Sequence, residues 1–215
     1  MIVKFLKASR AISLPLALMT SFFGGLGVFF TPTSFWKKMV FLLCCILCLS
    51  LQIAVNTGND YYDSKSGLDT AKSNPYNMIA QGVVTSQYMF RLYITAFLFS
   101  LILGLTIVVI TQFLAGLIYG CIFLLIIHFY SAGKKPLGYL PLGEIISFIC
   151  FGPLGVVLVH FVIFKSFGWS EVLLGFIPGA YAFLMMYLNN RRDLKTDMTV
   201  GKKTLPAYII DKNKL

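Results

Sequence analysis

Charge is scarce in this 215-residue chain: Asp and Glu number 8, charged residues make up 12% of the total, and there are 2 histidines. A soluble globular domain carries about 25% charged residues, so that class is excluded. His128 and His160 each stand alone near the end of an apolar stretch, which excludes an imidazole-built metal centre and leaves packing or interfacial roles. The net charge of +10 has no hydrophilic basic domain to carry it, and nucleic-acid binding is excluded with it. All 5 cysteines (Cys44, Cys45, Cys48, Cys121, Cys150) fall inside apolar runs. Cys45 and Cys48 form a CxxC, but without a second pair or a nearby His it reads as reduced thiols packed between helices.

What the chain has instead is hydrocarbon: 58% hydrophobic residues and a mean hydropathy of +0.81. Apolar stretches run over 12–30, 39–55, 92–110, 113–129, 145–164 and 172–188. Each is near the roughly 20 residues a membrane-crossing helix needs. The sequence therefore predicts an all-α, multi-pass transmembrane helical bundle of about six helices. No charge occurs between Arg91 and His128, so that region is too long for one span and has to turn back at Thr111 and Gln112. The first stretch has a basic start like a signal peptide, but it exceeds the usual apolar core of about 7–15 residues and reads as a retained helix.

Six spans put the N-terminus, the second and fourth loops and the C-terminus on one side. The opposite side then has only Lys37, Lys38 and Lys165 of the 18 Lys and Arg residues. By the positive-inside rule the rich side is cytoplasmic, which predicts an integral protein of the cell inner membrane with both termini in the cytosol. The excess of positive charge suits anionic lipid there and attracts a polyanionic substrate. Every acidic residue except Glu171 falls on that same side.

Those acidic residues are clustered. Asn56, Asn59, Asp60 and Asp63 follow the second span at i, i+3, i+4, i+7, one face of a helix if the helix continues that far. Asn190, Asp193 and Asp197 follow the last span and repeat most of that face. Asn and Asp also favour caps and turns at helix ends. Two such clusters on one side of the membrane instead make an oxygen-rich site for hard cations, with room for substrate phosphates.

These residues resemble a known family. The NxxNDxxD of Asn56 to Asp63 and the DxxxD of Asp193 to Asp197, placed after the second and sixth spans, look like the UbiA superfamily of membrane prenyltransferases. NDYYDSKSGLDT (59–70), YSAGKKPLGYLPLGE (130–144), FGPLGV (151–156) and NNRRDLKTDMTVGKKTL (189–205) look most like its 1,4-dihydroxy-2-naphthoate polyprenyltransferases of menaquinone synthesis. The resemblance implies Mg²⁺-dependent transfer of a polyprenyl group from a polyprenyl diphosphate to that aromatic acceptor, within one membrane-embedded domain over 1–215. Asp60 and Asp63 would hold one Mg²⁺, and Asp193 and Asp197 another. Asn56, Asn59, Lys65, Asp69, Lys134, Lys135 and Arg192 would bind substrate, and Tyr61, Tyr62, Tyr130 and Tyr139 are candidates to face the allylic cation. Glu144 suits a helix N-terminus.

The family fold normally has nine helices, and this chain ends soon after the second motif. The expectation is that the last three helices are absent. A partner chain supplying them, closure by oligomerisation, and a non-catalytic remnant or accessory subunit are all open, as is a different aromatic acceptor.

Overall fold

A backbone in hydrocarbon has to satisfy its own hydrogen bonds, and the apolar runs accordingly fold as helices. The computed structural model describes residues 2–67, 77–133, 136–199 and 201–212, and no strand occurs among them. The helices are α1 (Ile2–Ala8), α2 (Leu14–Gly24), α3 (Gly27–Phe30), α4 (Phe35–Lys65), α5 (Ser86–Thr111), α6 (Ala115–Ser131), α7 (Gly143–Phe151), α8 (Pro153–Phe164), α9 (Trp169–Arg192), α10 (Leu194–Thr199) and α11 (Leu205–Lys212). Among the described residues, four helices are long and apolar enough to cross a membrane: α4, α5, the α7–α8 pair taken together, and α9. The other two expected spans are shorter apolar helices, Ala11–Gly24 and Ala115–Ser131.

Three boundaries differ from the sequence reading. The first apolar stretch is broken at Gly25, where a Cβ would lie 2.2 Å from the Phe41 ring, so the break packs directly on α4. The second span does not stop at Val55: α4 runs on to Lys65 and carries the whole first acidic motif as helix. The stretch 145–164 is interrupted at Gly152, where Pro153 opens α8 without an N–H to donate. Thr20 Oγ1 donates to the Phe151 carbonyl at this break, at 2.6 Å. The expected hairpin between α5 and α6 forms, turning on Gln112 in the left-handed region at φ 54°.

Helices in lipid gain little from excluding each other's apolar faces and rely on close backbone approach, which small residues allow. A Cβ on Gly175 would lie 2.5 Å from Pro153 Cα, and one on Gly179 would lie 2.8 Å from the Phe148 carbonyl. α9 therefore packs backbone to backbone on the α7–α8 break. A core of Val28, Val40, Cys44, Leu103, Ile107, Val159 and Ile163 joins α3, α4, α5 and α8 towards the other end of the bundle.

Contacts between loops sort the ends of the helices as the charge count does. Arg10 pairs with Asp60, Asn59 bonds Ser131, Tyr139 bonds Asp63 and Asn190 bonds Glu144, all at one end. At the other end Lys165 Nζ donates to the Thr111 carbonyl at 2.5 Å, and Lys37 lies over the Phe164 ring. Gly175→Ala is expected to destabilise the bundle by about 1–3 kcal/mol through overpacking. Gly104→Ala, where a Cβ meets nothing within 4 Å, should leave it unchanged. Thermal unfolding in detergent checks both.

Candidate active site

The last turns of α4 present the first motif to a cavity of about 1160 Å³. Asn56, Asn59 and Asp63 line it. Asn56 is nearly buried: its Nδ2 donates to the Ser9 carbonyl and to Ser13 Oγ, each at 2.8 Å, and its Oδ1 accepts from Gln52 at 3.1 Å. It thus ties the segment after α1 down onto α4. Asn59 Oδ1 accepts from Ser131 at the end of α6. Asp63 Oδ1 accepts from the Tyr139 hydroxyl at 3.1 Å.

Asp60 is placed differently from its neighbours. It is fully buried, is not among the cavity-lining residues, and its carboxylate pairs with Arg10. Arg10 itself lines the cavity, so the guanidinium stands at the wall with Asp60 beside it. Its backbone is left-handed, at φ 49°, where the chain turns from α1 into the next helical segment. Lys65, the last residue of α4, does not line the cavity; its ammonium lies over the Tyr61 ring at 5.7 Å. Asp69, Lys134 and Lys135 lie outside the described residues.

The second motif is not one continuous helical face. α9 ends at Arg192, Asp193 caps it, and α10 restarts at Leu194. Arg192 grips Asp193 with two bonds, Nε to Oδ1 at 2.7 Å and a terminal nitrogen to Oδ2 at 2.6 Å. Asp197 is 2% exposed, with Lys202 Nζ 3.3 Å from its Oδ2. Asn190 donates to Glu144 Oε1 at 2.8 Å, which fixes the end of α9 against the start of α7. Arg192, Asp193, Asp197 and Lys202 all line the same cavity as the first motif.

Lys7, Arg10 and Lys202 enter the sequence reading only as part of the charge-rich side, yet all three line this cavity. The available signal was their computed side of the membrane, shared with the acidic motifs. Of the four candidate tyrosines, Tyr130 and Tyr139 line the cavity, whereas Tyr61 packs on Phe90 and Tyr62 on Tyr93.

Asp63, Asp193, Asp197 and the Asn59 amide give the rim hard oxygen donors, with no histidine in the cavity wall. That donor set fits a hard divalent cation. Among the described residues, no three His, Cys, Asp or Glu side chains stand close enough to hold an ion by themselves. Residues of both acidic motifs thus line one cavity whose other walls are largely apolar.

The sequence profile of the UbiA prenyltransferase family matches residues 17–215. The chain belongs to that family. It is 30% identical over 210 residues to the 1,4-dihydroxy-2-naphthoate octaprenyltransferase of Haemophilus influenzae, covering 94% of this chain and 68% of that protein. The Escherichia coli protein of the same name is 29% identical, covering 97% and 69%. The Bacillus subtilis one is 30% identical, covering 78% and 54%. The chain thus spans between about half and two thirds of the length of these relatives. No solved structure matches it. As a UbiA protein it is an integral membrane enzyme of the polyprenyltransferase class, and enzymes of this family generally use a divalent metal ion.

Asp60→Ala is expected to cost on the order of 3 kcal/mol of stability, because it strands Arg10 beside a buried site. Adding Arg10→Ala should recover part of that loss. A double-mutant cycle of unfolding in detergent reads the coupling, and additive losses would contradict it.

Proposed function

We propose that this UbiA protein transfers a polyprenyl group from a polyprenyl diphosphate to 1,4-dihydroxy-2-naphthoate, with Mg²⁺, at the cytoplasmic face of the inner membrane in menaquinone synthesis. The observation that carries the reading is the single cavity that both acidic motifs line, polar at one end and apolar along its length. The names of the relatives support the acceptor.

Asp63, Asp193 and Asp197 would hold the metal at the rim, with Asp60 behind them. When bound, the metal supplies positive charge that stabilises the diphosphate as the allylic C–O bond breaks. The chain's own cations stand where that diphosphate would enter. Arg10, Arg192 and Lys202 each pair with a motif carboxylate in this structure. An incoming diphosphate offers them a better anion, and a guanidinium binds phosphate oxygens in two parallel bonds. Those side chains exchange a carboxylate for a phosphate, leaving the carboxylates available to the metal. Tyr130 and Tyr139 line the cavity, where an aromatic ring would stabilise positive charge on the departing allyl group. The apolar walls keep water from that carbon.

Membranes containing the chain, supplied with 1,4-dihydroxy-2-naphthoate, octaprenyl diphosphate and Mg²⁺, are expected to form the prenylated product. Asp193→Asn and Asp63→Asn should each lower turnover about 10²–10³-fold, the usual cost of one lost electrostatic contact to the transition state. Wild-type rates in either variant would contradict the metal assignment.

A further inference from the structure

The reaction above gives no task to Glu144, a fully buried side chain at the start of α7. A helix N-terminus favours a carboxylate, but that accounts for the charge and not for its partner. Glu144 Oε1 accepts from Asn190 Nδ2 at 2.8 Å, and Oε2 has no hydrogen-bond partner among the described residues. Glu144 does not line the cavity, whereas Asn190 does. The carboxylate therefore stands behind the wall and holds a side chain that is part of it. A neighbouring contact fixes the same corner. The Tyr130 hydroxyl donates at 3.1 Å to the sulfur of Met186, one turn before Asn190 on α9, and a Cβ on Gly143 would lie 3.1 Å from that hydroxyl.

An ionised carboxylate only accepts hydrogen bonds, so it selects one of the two orientations of a neighbouring amide. Asn190 Nδ2 faces Glu144, and Oδ1 is turned the other way. That oxygen has no protein partner among the described residues and stays accessible where Asn190 meets the cavity. Because α9 runs towards the motif end, Asn190 lies one turn, about 4.5 Å, inward of Asp193. We propose that Glu144 is a positioning residue: by gripping Nδ2 it keeps Asn190 Oδ1 aimed into the cavity, where that oxygen accepts a hydrogen bond from a ring hydroxyl of the aromatic substrate. The inference rests on the transferase reading above. The prenyl carbon that reacts is bonded to the diphosphate, and the attacking ring carbon has to come within about 3–3.5 Å of it. With the diphosphate at the rim, the ring lies just inward of Asp193, at the level of Asn190. A ring hydroxyl there pairs with the amide oxygen, and a ring lacking it leaves that oxygen unpaired, which is how a polar site rejects a near-identical molecule. Glutamine at position 144 would fill the same space but donates as well as accepts, so the Asn190 amide could sit either way round.

The test uses the full chain in proteoliposomes, with KM measured separately for 1,4-dihydroxy-2-naphthoate and for octaprenyl diphosphate. Binding of that ring and of 1-hydroxy-2-naphthoate and 4-hydroxy-2-naphthoate is recorded in parallel by equilibrium dialysis, which needs no turnover. Glu144→Gln is expected to raise the aromatic KM about tenfold and leave the diphosphate KM unchanged, the loss of one well-placed hydrogen bond. Glu144→Asp keeps the charge but draws it back by one methylene, and should do the same, so misfolding of one variant does not decide the outcome. Asn190→Ala should match them, and adding Glu144→Gln to it should change the aromatic KM no further, because the carboxylate acts only through the amide. In each folded single variant the preference for the dihydroxy ring over one monohydroxy ring should collapse. Additive losses in the double variant, equal losses for both substrates, or an unchanged Glu144→Gln would overturn the positioning role. A wild type that turns over but binds all three rings equally would overturn it as well. A wild type without turnover, whose preference for the dihydroxy ring is lost in the variants, would sink the transferase reading and leave the Glu144–Asn190 pair standing. No binding of any ring would sink both.

Discussion

Carboxylates at the end of a membrane bundle have to be matched by cations or donors, because charge left unpaired away from water is costly. Much of the structure at the motif end follows from that constraint. Asp60 is matched by Arg10, Asp193 by Arg192 and Asp197 by Lys202, while Asp63 accepts from Tyr139 and Glu144 from Asn190. Most of these bonds join parts of the chain far apart in sequence. Together they pull the N-terminal segment, the end of α4, the turn before α7 and the end of α9 around one cavity mouth. The acidic motifs thus position the surrounding elements as well as presenting Asp63, Asp193 and Asp197 to the cavity.

The matching also bears on how the proposed site would take up a ligand. In the proposed reaction, Arg10, Arg192 and Lys202 would pass from carboxylate to diphosphate and the carboxylates would hold the metal, so that neither charge need be stranded. This makes the N-terminal segment part of the site, since Asn56 and Asp60 hold Ser9, Ser13 and Arg10 at the cavity wall. Below the rim the constraint is different. Glycine approaches between α9 and the α7–α8 break bring backbones together on one side, while α6 stands off far enough to leave the apolar lumen open.

The helical bundle, the tight hairpin at Gln112 and the gathering of both motifs at one end were legible in the sequence, because hydropathy runs and charge asymmetry are local or additive properties. The helical face carrying Asn56, Asn59 and Asp63 was legible for the same reason: its period is that of the helix. The orientation of Asp60 was not, since it depends on Arg10, fifty residues away. Lys65 reads as a phosphate ligand by proximity to the motif, but at the end of α4 it projects onto Tyr61 instead. The breaks at Gly25 and Gly152 were hidden because glycine is tolerated within membrane helices, and only the close neighbours Phe41, Gly175 and Gly179 reveal why these two matter. The restart of the helix at Leu194 likewise separates Asp193 from Asp197 in a way that spacing alone does not show.

We propose that the two acidic motifs form one metal–diphosphate site. The most direct measurement is the anomalous scattering of Mn²⁺ in crystals of the chain grown with a prenyl thiodiphosphate. Density lying between Asp63 on α4 and Asp193 and Asp197 after α9, bridged by the diphosphate, is expected. Metal at one motif alone, or diphosphate bound away from both, would contradict it.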